Sequence, residues 1–229
     1  MTDLKATLEP PGRRQRKRQR MASHLATTAF ELFEEFGYEA VTMEQIAVEA
    51  DVAKATLYSY FPMKEALVAH RFKDEIVEGM AALADQLAAH RTFVSRMKFL
   101  LRESAAWHAS KRVYLPHYLR YLNSIADSVA DDVSQENGSK VTWDALATMF
   151  RAAQQNGEVV VTIPAEKLAW SLQYLLYGAV MHWLVHPEAN LTEEFLQAFG
   201  LLMDGVAAEK STNMRKFPTS RKASPRRSR

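Results

Sequence analysis

The chain has 229 residues, of which 48% are hydrophobic, 24% charged and 10% aromatic, a composition that excludes a chain disordered throughout. It has no cysteine, which excludes disulfides, a thiolate nucleophile and any cysteine-ligated metal centre. The net charge of +2 is a sum of unlike regions. Residues 21–209 are acidic, with 25 acidic and 14 basic side chains. Residues 13–20 carry six basic side chains and residues 210–229 carry eight, and neither segment has an acidic one.

The two basic ends indicate contact with a polyanion, either nucleic acid or an anionic membrane surface. Residues 1–12 show no periodicity and include Pro10 and Pro11, so we expect residues 1–20 to form a disordered basic arm. The Ser/Pro/Arg-rich residues 210–229 are expected to be a second disordered segment, for which a merely solubilising role stays open.

Helical periodicity predicts a first helix that ends at Phe36, before a glycine. Thr42 begins a second helix, because a threonine followed three residues later by Gln45 has the pattern of a capping box. A short third helix covers residues 54–60 and is closed by a proline. Short helices joined by a tight turn indicate a helix-turn-helix, although an ordinary three-helix bundle gives a similar pattern.

The remaining sequence up to residue 209 shows only helical periodicity, so the predicted fold class is all-α. The β-prone residues 158–163 are too isolated to pair and are interpreted as a loop. The uncharged segment 168–185 is close to the length of a membrane span, but its polar residues favour a helix buried on several sides. The further predicted helices cover residues 63–88, 92–109, 116–131, 141–156, 165–185 and 191–209.

Residues 41–67, VTMEQIAVEADVAKATLYSYFPMKEAL, resemble the signature of TetR-family transcriptional regulators. Two positions depart from that pattern, since Asp51 stands where the family usually has glycine and Ala53 where it usually has a serine cap. Aspartate tolerates left-handed backbone geometry better than most residues, so we expect the turn to form, with Asp51 as a candidate cap. The matching positions are Thr42, Ile46-Ala47, Ala50 to Ala53, Thr56-Leu57-Tyr58, Tyr60-Phe61, Lys64-Glu65 and Leu67.

The resemblance implies a DNA-binding domain over residues 21–70, whose third helix enters the major groove. Side chains at Tyr58 and Lys64 would hold phosphates, and Thr42 would cap its helix toward the DNA backbone. The arginines before the first helix would follow phosphates or enter an adjacent minor groove. The DNA-contacting residues that the resemblance and the arm together imply are Thr42, Lys54, Ala55, Thr56, Tyr58, Ser59, Tyr60, Lys64, Arg14, Arg16 and Arg18.

For residues 71–209 the resemblance implies a larger helical domain that binds a ligand and pairs its last two long helices with those of a second copy. Its aromatic side chains would line a largely hydrophobic pocket, with Glu103 or His108 as polar groups, although core packing explains any single one of them as well. The aromatic pocket candidates are Trp107, Tyr118, Tyr121, Trp143, Phe150, Tyr174 and Tyr177.

We find no enzyme signature and predict no cofactor; His182 and His186 have metal-pair spacing but no clear third ligand. The implied function is a cytoplasmic, dimeric one-component regulator, most simply a repressor, that binds a pseudo-palindromic operator and responds to a small hydrophobic ligand. One alternative is a nonspecific nucleic-acid-binding protein driven by its basic ends. Another is an all-α enzyme or carrier whose pocket is its function.

Overall fold

The computed structural model describes residues 12–126 and 138–206, and these residues fold into helices without a strand, as predicted for an all-α chain. The helices are α1 (Arg13–Phe36), α2 (Met43–Glu49), α3 (Lys54–Tyr60), α4 (Lys64–Ala82), α5 (Ala84–Ala89), α6 (Phe93–Ser110), α7 (Leu115–Ala126), α8 (Gly138–Gln155), α9 (Ala165–Val185) and α10 (Leu191–Val206). We call α1–α3 the head and α4–α10 the body.

Two expectations about helix boundaries are wrong. Residues 13–20 are helical and belong to α1, so the disordered arm does not extend to residue 20. The helix expected over residues 63–88 is divided at Leu83 into α4, which has buried side chains, and α5, which has none. The expectations for residues 1–11, 127–131 and 210–229 concern segments outside the described residues.

The head has a small apolar core to which each of its helices contributes. Leu25 and Phe33 of α1, Ile46 of α2 and Leu57 of α3 are each no more than 2% exposed. Burial of side chains of this size contributes about 1.5–3 kcal/mol each, which makes this cluster the main source of stability for three otherwise short helices.

Phe72 of α4 joins the head to the body. Its fully buried ring contacts Phe30 of α1 at 6.5 Å, Trp107 of α6 at 4.9 Å and Tyr118 of α7 at 5.1 Å between ring centroids. Tilted and edge-on ring pairs at these separations are favourable beyond the apolar area that they bury. One side chain therefore fixes the packing of four helices.

A second contact joins the α1–α2 turn to α7. The ring of Tyr38 stacks on His117 with centroids 3.7 Å apart and planes 28° apart. Beside it, Arg120 of α7 donates to Glu65 at the start of α4 at 3.4 Å. Burial lowers the pKa of His117 and raises that of Tyr38, so both rings are neutral at physiological pH.

The C-terminal part of the body is built around α9, which packs against α8 on one side and α10 on the other. One face of α9, including Leu168, Leu172 and Val180, is buried. Its other face exposes Trp170, Tyr174 and further apolar side chains. Across the described ranges, no helix has the length and apolar character needed to cross a membrane.

His108 of α6 lies in the interior of the body with its ring edge-on to Trp107 and Phe195. Its Nδ1 lies 2.7 Å from the carbonyl oxygen of Ser104, and since a carbonyl only accepts, Nδ1 carries the proton. Burial lowers the pKa of His108, which opposes protonation of its second nitrogen.

This lowered pKa predicts a loss of stability in mild acid. The unfolded chain takes up a proton at His108 near the ordinary pKa of about 6.5, before the folded chain does. The contribution of neutral His108 to the free energy of unfolding is therefore fully present above about pH 6.5 and is lost as the pH falls toward the pKa of the folded state. We expect thermal unfolding between pH 7.5 and 5.0 to show a shallower pH dependence for His108→Gln than for the unaltered chain. Parallel curves for the two proteins would contradict this assignment.

Candidate nucleic-acid interface

The second helix begins with the predicted capping box. The Gln45 backbone N–H donates to the Thr42 hydroxyl at 3.2 Å, and the Thr42 backbone N–H donates to the Gln45 side-chain oxygen at 2.8 Å. The Thr42 hydroxyl also lies 3.1 Å from the same Gln45 oxygen. The side chains of Thr42 and Gln45 thus each accept from a free backbone N–H at the start of the helix, and this local pair defines where α2 begins.

The turn between α2 and α3 depends on Asp51. Its φ of 52° is in the left-handed region, and no other non-glycine residue of the described ranges has a positive φ. The Val52 N–H donates to the Ala47 carbonyl oxygen at 3.0 Å, which closes the turn. The predicted left-handed conformation is confirmed, but Asp51 does not cap α3, since no side chain bonds to the start of that helix.

Apart from buried Leu57, α3 presents its side chains to solvent. Lys54, Ala55, Tyr58 and Ser59 are exposed, and Thr56 and Tyr60 are half-buried. The Ser59 hydroxyl donates to the Thr56 carbonyl oxygen at 2.7 Å, so its single proton is already used within the helix. The outer face of α3 therefore offers a mixture of small, hydroxyl and cationic groups at the spacing of successive helical turns.

Lys54 is paired with Glu44 of α2, a residue that the sequence did not single out. The hydrogen bond between them lowers the pKa of Glu44 and raises that of Lys54, so both groups are charged. The Lys54 ammonium also lies 5.7 Å from the centre of the Tyr58 ring. An acid on the helix surface gives no signal for a partner ten residues later, and only the packing of α2 against α3 brings the two together.

Lys64 holds the turn between α1 and α2. Its ammonium donates to the carbonyl oxygens of Tyr38 and Val41, both at 2.8 Å, and lies 4.5 Å from the centre of the Tyr38 ring. Two of its three N–H donors are therefore used within the protein, and one is left for a phosphate. The resemblance implied only the phosphate contact, whereas the geometry gives Lys64 a structural role as well.

The first two turns of α1 carry six exposed basic residues. Two open grooves run along them, one of which is also lined by Ser59 and Tyr60 of α3. The Arg18 guanidinium lies 5.7 Å from the centre of the Tyr60 ring. The basic residues and the outer face of α3 therefore form one continuous surface, on which a polyanion could contact both.

The structure does not bring the seven aromatic pocket candidates together. Trp107 and Tyr118 pack on Phe72, and the Trp107 indole N–H donates to Glu75 at 3.0 Å. Phe150 is fully buried against Phe93, with centroids 5.0 Å apart.

The other four candidates lie on three different helices, Tyr121 on α7, Trp143 on α8, and Tyr174 and Tyr177 on α9. The Tyr177 hydroxyl lies 3.4 Å from the Asn123 side chain, and the half-buried Tyr121 has its pKa raised by burial. The Trp143 indole N–H donates to the Glu166 carbonyl oxygen at 3.3 Å. Tyr174 is 60% exposed and packs on Trp170 at the outer surface of α9.

Comparisons with known proteins agree with this architecture. Residues 25–70 match the family model described as bacterial regulatory proteins of the tetR family. The chain is 22% identical over 191 residues to MftR of Mycobacterium tuberculosis, a proposed transcriptional regulator of mycofactocin biosynthesis. That alignment covers 83% of this chain and 93% of MftR. It is 30% identical over 130 residues to the transcriptional repressor KstR of the same bacterium, covering 53% of each protein.

The fold has close counterparts among solved structures. The crystal structure of Thermus thermophilus FadR, a TetR-family repressor in complex with lauroyl-CoA, has a TM-score of 0.66 at 20% identity. That match covers 87% of this chain and 100% of FadR.

A capped helix-turn-helix beside a basic helix, carried on a larger all-helical body, defines a helix-turn-helix transcriptional regulator. The match over residues 25–70 falls on that head, and the similarity to FadR extends over most of the body. Residues 25–70 therefore match the DNA-binding head of the TetR family, and the fold of most of the chain is that of a solved TetR-family regulator. Its relatives are named as regulators and not as enzymes.

The bonds of Lys64 predict that Lys64→Met destabilises the protein, because two buried carbonyl groups lose a charged donor. A hydrogen bond to a charged group contributes about 1.5–3 kcal/mol, so we expect the free energy of unfolding to fall by about that amount in chemical denaturation. Lys54→Met removes the same charge from an exposed pair and is the matched control, for which stability should hardly change. Equal losses for the two variants would contradict the structural role of Lys64.

Proposed function

We propose that the chain is a dimeric one-component repressor that binds a pseudo-palindromic operator and releases it when a largely hydrophobic ligand binds the body. The observation that carries this proposal is the capped helix-turn-helix, whose polar outer face adjoins the basic start of α1. In this proposal residues 13–70 bind DNA, residues 71–209 bind ligand and partner, and the protein acts in the cytoplasm, where its DNA is.

The proposed DNA contacts divide by chemistry. Ala55, Thr56 and Tyr60 face or border the major groove, and Lys54 reaches it when a phosphate or base replaces Glu44 as its partner. Tyr58, Thr42 and the remaining N–H of Lys64 lie along the phosphates on either side. The charged pair of Lys54 and Glu44 supports this division, because it keeps the cation oriented on the surface of α3.

An exposed apolar surface on α9 and α10 supports the proposed dimer. Trp170, Tyr174, Met181 and Val185 of α9 are 40–70% exposed and follow one another at steps of four or seven residues, which places them on one face of the helix. On α10, which packs against α9, Leu201 is a further exposed apolar side chain, with 71% of its surface accessible. An apolar face of this length is unusual on a monomer and typical of an interface between subunits.

The proposed ligand site lies in the body, among α4, α6, α7 and α8. The structural neighbours include Bacillus subtilis FadR in complex with stearoyl-CoA, at 18% identity, and SmeT in complex with triclosan, at 16% identity, and each of these ligands has a large apolar part. In this chain the aromatic side chains around Phe72 and the buried His108 supply apolar surface with a few polar atoms, which suits a ligand of the same character.

The proposed route from ligand to DNA uses the two contacts between head and body. A ligand that displaces α4 moves Phe72 against α1, and one that displaces α7 moves His117 against Tyr38. The Tyr38 hydroxyl and the His117 Nδ1 are buried without a hydrogen-bond partner among the described residues, so the joint is not held tightly in one geometry. A shift there changes the separation of the two α3 helices, which one turn of DNA sets at about 34–36 Å.

Selection of duplexes from a random-sequence pool by the full-length chain tests the proposal. We expect recovery of a two-fold symmetric sequence with half-sites about one helical turn apart, and release of that DNA on titration with lauroyl-CoA or triclosan but not with free coenzyme A, which lacks the apolar acyl chain. Thr56→Ala should weaken binding to the selected sequence about 5- to 100-fold while leaving binding to random DNA unchanged. Recovery of no common sequence would favour the nonspecific DNA-binding function instead.

The exposed face of α9 predicts a dimer that one charge disrupts. We expect sedimentation at micromolar concentration to give about twice the 26.0 kDa chain mass, and Tyr174→Arg to weaken association by roughly 30-fold or more, because an interface residue of this kind contributes about 2 kcal/mol. Val161→Arg places the same charge on an equally exposed apolar residue between α8 and α9 and is the control. A monomeric unaltered chain would contradict the dimer.

A further inference from the structure

The basic turns of α1 present two different faces. Arg14, Lys17 and Arg18 line the groove that adjoins α3, whereas Arg13, Arg16 and Arg20 line, with Lys17, a groove about a third of a turn farther round the helix. No acidic residue lies anywhere between residues 10 and 30 of the sequence. Nothing nearby on α1 therefore neutralises these cations.

The helical state of residues 13–20 limits which part of DNA they can reach. An α-helix with its side chains is about 10–12 Å across, whereas the minor groove of B-form DNA is about 6 Å wide. Segments that enter the minor groove are extended arms, as in homeodomains. The helical basic turns are too wide to enter that groove, and in the proposed function α3 occupies the adjacent major groove, so the phosphate backbone is the contact that we infer for them.

The groove beside α3 has the groups that a phosphate requires. The Ser59 hydroxyl proton is bonded to the Thr56 carbonyl oxygen and is not available to a phosphate. The guanidinium groups of Arg14 and Arg18 and the ammonium group of Lys17 are therefore the main donors that this groove offers. The Arg18 guanidinium is placed over the ring of half-buried Tyr60, within the distance of a cation–π contact. Tyr60 therefore orients Arg18 through its ring face.

We propose that the first two turns of α1 form a helical clamp on the DNA backbone, in which Arg14 and Arg18 hold a phosphate of the strand that passes between α1 and α3, and Tyr60 positions Arg18. This inference rests on the proposed function and deepens it. The clamp contributes affinity that is independent of base sequence, and Tyr60 acts through its ring and not by bonding a base.

The salt dependence of binding tests the clamp. The probe is the duplex selected by the full-length chain, with its flanks rebuilt as either A·T or G·C pairs. For the Arg14→Gln/Arg18→Gln variant we expect the slope of log affinity against log salt to become less steep by about 0.9 per protomer, equally on both flanks, since the one phosphate that the two residues hold accounts for about 0.9. The matched Arg13→Gln/Arg16→Gln variant loses the same charge and should change the slope by less than half as much.

Two results would overturn the clamp. Equal changes of slope for the two double variants would show a diffuse charge effect with no particular phosphate site. A loss of affinity confined to the A·T-flanked duplex would show insertion into the minor groove. If the chain selects no sequence at all, the proposed function fails, and the same comparison of variants on a random duplex still decides whether the clamp exists.

The positioning role of Tyr60 has a separate readout. Tyr60→Phe keeps the ring and should retain the affinity and salt slope of the unaltered chain, whereas Tyr60→Leu should reproduce at least half of the slope change of Arg18→Gln. Thermal unfolding of each variant checks that the head is folded. An equal loss of affinity for Tyr60→Phe and Tyr60→Leu would show that the hydroxyl group contacts DNA directly, which contradicts the positioning role.

Discussion

Phe72 is fully enclosed by side chains of α1, α6 and α7, although it belongs to the helix that leads out of the head. Removing a buried phenylalanine ring typically costs roughly 3–5 kcal/mol, a large share of the stability of a whole domain. Head and body therefore do not fold or move as independent units. Any rearrangement of the body must either carry α4 with it or break this cluster, and both outcomes alter the position of α1.

The polar contacts at the joint are of a different kind. Arg120 and Glu65 are only partly enclosed, and the stack of Tyr38 on His117 leaves two buried polar atoms without a hydrogen-bond partner in the part of the chain that the structure describes. Such contacts contribute little net stability, because the energy of the interaction is offset by desolvation. The apolar cluster therefore holds the two parts together, while the polar contacts set their relative orientation with a small energetic preference, which is what a ligand-controlled protein needs.

The sequence predicts the helical head well because its signals are local. The capping box of Thr42 and Gln45 involves neighbours three residues apart, and the left-handed turn at Asp51 is a property of a single residue. The pairing of Lys54 with Glu44 and the bonds of Lys64 to the α1–α2 turn depend on how helices pack, so no spacing in the sequence indicates them. The start of α1 was also unpredictable, because like charges and the absence of a cap argue against helix there.

In the body, the apolar pattern of the sequence does not indicate which side chains are buried and which are exposed. In α9 both faces are apolar, so the sequence does not distinguish Leu172, which is buried, from Tyr174, which faces outward. The aromatic residues expected to form one pocket are for the same reason divided between the core around Phe72, the core around Phe93 and the outer surface. In the proposed function, the arrangement of α4, α6, α7 and α8 determines which aromatic side chains can contact a ligand.

The pairing of Lys54 with Glu44 makes the outer surface of α3 nearly neutral, while the start of α1 carries six positive charges. In the proposed function, long-range attraction to DNA therefore comes mainly from α1 and contact with the bases from α3. A protein so divided can stay near DNA through α1 while α3 adds little net charge of its own. Lys54 gains a partner on DNA only by leaving Glu44. Because an exposed ion pair contributes little stability, this exchange lowers the affinity for every site slightly and discriminates between sequences only where a base replaces the carboxylate.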